Sequence, residues 1–76
     1  MSGTARPRKH SLTLRGHRTS VSLEDAFWYE LRRIAEAEGK SVNELIAEID
    51  AARGVTSGLA SAVRVFVLER AKAGPR

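Results

Sequence analysis

The sequence predicts a mainly α-helical fold with a short β-ribbon at its N-terminal end and a need for a second chain. Three observations lead there. Apolar residues alternate with polar ones over residues 11–23, then recur at helical spacing in three stretches punctuated by Gly39, Gly54 and Gly74-Pro75. The chain has 76 residues, room for one domain. A domain of that size buries only about 60% of the surface its unfolded chain exposes, and small folds usually add disulfides, a metal or a partner. Here there is no cysteine, and His10 and His17 are the only histidines. Disulfides, thiolate zinc sites and thiol catalysis are thereby excluded, and neither metal nor other cofactor is expected. Association with a second copy is the remaining route.

Residues 1–10 hold Gly3, Pro7 and a basic cluster without periodicity, and read as a flexible basic arm. Leu12 and Leu14 then alternate with polar neighbours, as do Val21 and Leu23, the pattern of strands with one dry face. Parity changes across Gly16, since the first pair is even-numbered and the second odd. Either Gly16-His17 is the tight turn of a hairpin, or Gly16 is a bulge in one bent strand. Both geometries turn Arg18, Ser20 and Ser22 away from Val21 and Leu23.

Ser22, with Asp25 three residues on, has the form of a capping box for a helix over about 24–38. Phe27, Leu31, Ile34 and Ala35 share one face of it, and Gly39 closes it as a left-handed residue. Ser41 and Glu44 repeat the capping motif ahead of Val42, Leu45, Ile46 and Ile49, and Gly54 ends this second helix. Thr56 or Ser57 caps a third, from about 58 to 72. Its Val63, Val65, Phe66, Val67 and Leu68 are apolar almost all round, which demands burial on more than one side. Trp28 lies at the edge of the first helix's apolar stripe and reads as a packing residue, with Tyr29 on the opposite face. The domain therefore spans 11–73, followed by a tail at 74–76.

The net charge of +4 is unevenly spread. Residues 1–22 carry five bases and no acid, residues 23–53 eight acids and four bases, and residues 54–76 four bases and one acid. A segregated basic N-terminus is the footprint of a protein that meets a polyanion, most often nucleic acid. The acidic middle confines that contact to one face. The first ten residues do not resemble a signal peptide, and no apolar stretch approaches the roughly 20 residues of a membrane span. A cytoplasmic, nucleoid-associated protein without a membrane partner is expected. No glycine loop could cradle a phosphate and no histidine pairs with acids in one element, so an enzyme is not expected. His10 and His17 flank the ribbon and read as loop or phosphate-side residues rather than metal ligands.

Over roughly residues 17–53 the chain resembles the ribbon-helix-helix DNA-binding domains, a class that includes small phage and plasmid repressors and many antitoxins. The resemblance rests on Arg18-Thr-Ser-Val-Ser-Leu23 running straight into an amphipathic helix. It rests equally on Gly39-Lys40-Ser41-Val42-Asn43-Glu44, which is similar to the family's turn between helices. The longer run from Ser11 to Glu24 and the third helix resemble a bacterial subgroup with an extended ribbon. Two features depart from the minimal pattern: Glu24 stands where proline is frequent, and the third helix is extra.

The resemblance implies a homodimer in which the strand pairs with its copy, since a lone strand leaves a row of unpaired backbone groups. Val21, Leu23, Phe27, Leu31, Ile34, Leu45, Ile46 and Ile49 would form its core. Arg18, Ser20 and Ser22 would read base edges in the major groove of double-stranded DNA, Arg18 gripping a guanine with two hydrogen bonds. The amides of Val42 and Asn43, with Lys40 and the Ser41 hydroxyl beside them, would meet a backbone phosphate at the second helix start. Arg6, Arg8, Lys9 and Arg15 would add phosphate contacts. The expected function is sequence-specific transcriptional repression or regulation, with assembly beyond the dimer on DNA left open. The alternatives are an antitoxin-type autoregulator with a toxin or other protein partner, and an assembly module without specific DNA binding. An antitoxin usually carries a long disordered C-terminal segment, whereas residues 58–72 read as a compact helix.

Overall fold

A computed structural model describes residues 6–54 and 57–73. Strands β1 (Arg8–Leu14) and β2 (His17–Leu23) form an antiparallel ribbon, followed by helices α1 (Asp25–Ala37), α2 (Val42–Ala52) and α3 (Leu59–Lys72). The predicted class, a β-ribbon followed by three helices, is the observed one.

Of the two geometries open for residues 11–23, the chain adopts the hairpin. Its loop is Arg15-Gly16, one residue earlier than expected, and Leu14 pairs with His17. Both loop residues have positive φ, 53° at Arg15 and 82° at Gly16. Two-residue loops of that kind match the right-handed twist of the strands they join. The loop also explains the change of parity, because the register places even residues of β1 opposite odd residues of β2. Leu12, Leu14, Val21 and Leu23 are buried on the shared inner face. The pairing partner expected from a second copy is therefore supplied within one chain.

Strand β1 also starts earlier than the alternation of apolar residues suggested. Arg8, Lys9 and His10, expected in the arm, lie opposite Leu23, Ser22 and Val21. His10 faces inward and stacks on Trp28 of α1, with ring centroids 3.7 Å apart and planes 5° from parallel. That contact ties the start of β1 to the helix layer. Residues 1–5, the remainder of the expected arm, fall outside the described part of the chain.

Helix α1 begins without the expected capping box. Its N-cap is Glu24, which makes no side-chain cap bond, because β2 continues through Leu23 and holds Ser22 in the ribbon. It ends as expected: Gly39 has φ of 70°, and the Lys40 amide donates to the Ala35 carbonyl at 2.9 Å. A left-handed residue followed by a bond of that span satisfies the last carbonyls and turns the chain sharply. Helix α2 starts with the predicted capping box. The Glu44 amide donates to Ser41 Oγ at 3.0 Å, and the Ser41 amide donates to Glu44 Oε1 at 2.9 Å.

Helix α3 has Gly58 as its N-cap, not Ser57; Thr56, the other candidate, lies outside the described residues, as does the tail at 74–76. Arg53 staples the connection before it, donating to Asp50 at 2.7 Å and to the Ser57 carbonyl at 2.6 Å. Val63 and Val67 are buried, yet Val65 and Leu68 are each 55% exposed. Burial on more than one side is thus not achieved within a single chain. All five elements nevertheless share one core, in which Val63 and Val67 join Leu23, Leu31, Leu45 and Ile46. The third helix is an integral part of the domain rather than an appendage.

Candidate nucleic-acid interface

The hairpin separates its residues by parity. Lys9, Ser11 and Thr13 of β1 and Arg18, Ser20 and Ser22 of β2 are all exposed on the outer face. The three residues expected to read bases are therefore where the sequence placed them, in the register that buries Val21 and Leu23. Across the ribbon they meet Thr13, Ser11 and Lys9 respectively. Lys9, expected as an arm contact, is part of this face. Ser11 and Thr13 share this face as well, and their alternation with Leu12 and Leu14 is the sequence signal that places them there.

Both edges of the ribbon touch helices. Asn43 Nδ2, at the start of α2, donates to the Thr13 carbonyl at 2.5 Å. Arg64 of α3 reaches the Ser22 carbonyl at 3.5 Å and donates from Nε to Glu24 at 2.9 Å. Its guanidinium also lies 5.8 Å from the Phe27 ring centroid, a cation–π distance. The Glu24 carboxyl is held below its ordinary pKa, first by its own backbone amide and then by Arg64. Glu30 is likewise lowered by its bond to Arg33. The Arg64 contacts clamp the base of the ribbon and the start of α1 to α3, whereas the Glu30–Arg33 pair lies within α1.

The bond from Asn43 sets the start of α2 beside the outer face. An open cavity of about 250 Å³ lies between them, lined by Ser11, Leu12, Thr13, Arg18 and Asn43. The capping box occupies the amides of Ser41 and Glu44. Those of Val42 and Asn43 belong to the first turn, which has no intrahelical acceptors, and no other acceptor meets them among the described residues. The structure thus brings together Arg18, two hydroxyl side chains and two open amides at a positive helix end.

Other expected phosphate contacts are placed less favourably. Lys40 is paired with Glu48 at 2.8 Å and Glu38 at 3.3 Å, so its charge is already compensated. Arg8 pairs with Asp25 at 3.3 Å, though both remain well exposed. Arg6 is exposed beside them. Arg15 sits at the hairpin tip, where a cavity of about 310 Å³ is bordered by Arg15, His17, Arg18 and Arg53. Neither histidine belongs to a metal cluster, and among the described residues no group of three or more potential ligands converges. The residues expected in a dimer core pack together inside the single chain, with Phe27 at the margin.

An exposed two-stranded ribbon beside a capped helix start defines a class, the small domains that present a β-ribbon to a nucleic-acid groove. The profile of the ribbon-helix-helix domain family matches residues 7–71, and the chain belongs to that family. No curated protein and no solved structure matches it. Domains of this family in general bind DNA, dimerise and act without catalysis. No helix among the described residues is long and apolar enough to cross a membrane.

Proposed function

We propose that this chain is a homodimeric, sequence-specific DNA-binding protein that represses or regulates transcription. One observation carries the reading: the ribbon's outer face is exposed, and Arg18 borders one open cavity with Asn43 at the start of α2. Arg18 would grip a guanine edge, while Ser20 and Ser22 accept either base type. The amides of Val42 and Asn43, with Ser41, would hold a backbone phosphate and fix the register of the ribbon. Arg6, Arg8, Lys9 and Arg15 surround that face with positive charge; Lys40 contributes less, its charge being shared with two acids. A two-fold dimer would read two related half-sites. The nucleoid is where such a protein works.

The apolar surface of α3 supports the dimer. Val65 and Phe66 line an apolar groove of about 310 Å³ with Ile49, Ala52 and Ala62, and Leu68 is exposed on the same helix. Dimerisation predicts a melting temperature that rises with protein concentration. The same groove favours one competing reading, an assembly module or antitoxin whose third helix recruits another protein.

Selection from random duplex DNA tests the leading reading. Enrichment of one two-fold-related motif, with affinity falling steeply as salt rises, is the expected result. A purified dimer that enriches no sequence and shows no salt-dependent retention on DNA would leave the assembly module in its place.

A further inference from the structure

We infer that the reading head is complete within one chain, and that Ser11 and Thr13 of β1 determine base preference alongside Arg18 and Ser20 of β2. The inference rests on the DNA-binding reading above and goes beyond it in saying which strand pair enters the groove. Strand β1 is paired with β2 along its whole length, so the outer face of a single hairpin already has two rows of side chains. Three tiers cross it: Thr13 opposite Arg18, Ser11 opposite Ser20, and Lys9 opposite Ser22.

Size favours the single hairpin. Paired strands lie about 4.8 Å apart, so two of them enter a major groove about 12 Å wide with space for side chains. Joining β2 to its copy would make four strands, with outer axes about 14 Å apart before any side chain is counted. That sheet cannot lie flat in the groove.

Position and chemistry agree. Ser11 and Thr13 border the same open cavity as Arg18, and the Thr13 carbonyl is anchored by Asn43 at 2.5 Å. The same α2 start that would grip a phosphate therefore fixes β1 relative to the DNA backbone. A serine hydroxyl can donate to or accept from a base edge, and the Thr13 methyl can contact a thymine methyl. Lys9, at the tier farthest from the loop, would take a guanine edge or the adjoining phosphate. Residues two apart in a strand rise about 6.8 Å, or roughly two base pairs at 3.4 Å each. Three tiers then cover a block of about five base pairs, with the Arg18 and Thr13 tier at one end.

The test compares random-duplex selections with the wild-type chain and a Ser11→Ala, Thr13→Ala double variant. Both side chains are exposed, so unchanged thermal unfolding is expected. The double variant should lose preference at two or three positions inside the block and bind the wild-type motif about ten- to a hundredfold more weakly. Its affinity for random DNA should change less than about twofold, because phosphate contacts remain. An unchanged motif and affinity would overturn the role of β1 while leaving sequence-specific binding intact. No motif for the wild type would overturn both. A second measurement is independent of the variant's stability. The chain has no cysteine, so Ser11→Cys introduces one thiol that can carry a photocrosslinker. Crosslinks to bases within the motif are expected; crosslinks confined to flanking sugar-phosphate would place β1 outside the groove.

Discussion

The two faces of the hairpin divide its work. On the inner face Leu23 is fully buried and Val21 nearly so, with Leu12 and Leu14 beside them. On the outer face every residue from Lys9 to Thr13 and from Arg18 to Ser22 is exposed, and hydroxyl side chains predominate. Neighbours in sequence such as Ser22 and Leu23 therefore belong to different energetic accounts. Alternation lets one short ribbon stabilise the domain and present an exposed polar face, so that face can vary without disturbing the core.

The largest effect should come from crossing that boundary on the dry side. Leu23→Ala removes a fully buried side chain where ribbon and helices meet, and should cost about 2–5 kcal/mol. Small domains are rarely more than about 5–15 kcal/mol stable, so much of the fold would be lost. Ser22→Ala, one residue away, should change stability by less than about 0.5 kcal/mol. Urea unfolding of the two variants measures the contrast. Equal losses would mean that the faces are not separated as described.

On the wet side the loss should appear in recognition. Arg18→Ala should keep the fold but cost about 1–3 kcal/mol per half-site and relax preference at the guanine it contacts. Glu44→Ala should do the opposite. It opens half of the α2 capping box, costing about 1 kcal/mol of stability without altering which base is preferred. Melting curves and competition binding on the same two proteins separate readout from scaffold.

The two faces were legible in the sequence because side-chain parity in a strand is strict and four apolar residues marked it. The α2 start was legible for a similar reason, since Ser41 and Glu44 form a local motif that needs nothing distant. The start of β1 was hidden because Arg8, Lys9 and His10 are not apolar, and their strand conformation comes from pairing across the loop. His10 shares the even parity of Leu12 and Leu14, yet only the fold brings Trp28 to its face. The supposed cap at Ser22 failed because the ribbon, a longer-range structure, claimed that residue first. Arg64 carries no such signal, since its partners lie 40 and 42 residues away and no spacing rule connects them.

The loop that joins the faces offers a smaller gain. Arg15 holds φ of 53° although it carries a Cβ, a conformation that costs most residues about 1 kcal/mol and asparagine less. Arg15→Asn should therefore stabilise the hairpin by about 0.5 kcal/mol while removing one charge from its tip. Its midpoint in urea should rise as its affinity for random DNA falls slightly. A lowered midpoint would show that the Arg15 side chain contributes more than the strain it bears.

The smallest expected effect lies at the base of the ribbon, where the outer face gives way to α1. The carboxyl of Glu24 is lowered by its own amide and by Arg64, which also reaches the Ser22 carbonyl. In the unfolded chain that carboxyl takes up a proton at higher pH than in the folded one. As pH falls, the unfolded state binds more protons, so the contribution is full at neutral pH and fades through the ordinary glutamate range down to the lowered value. Glu24→Gln removes this source of acid sensitivity but leaves the lowered Glu30 carboxyl in place. Unfolding free energies measured from pH 7 to pH 3 should fall less steeply for the variant than for the wild type. Parallel curves would mean that neither its own amide nor Arg64 favours the Glu24 carboxylate in solution, and that the link between Glu24 and α3 adds nothing to stability.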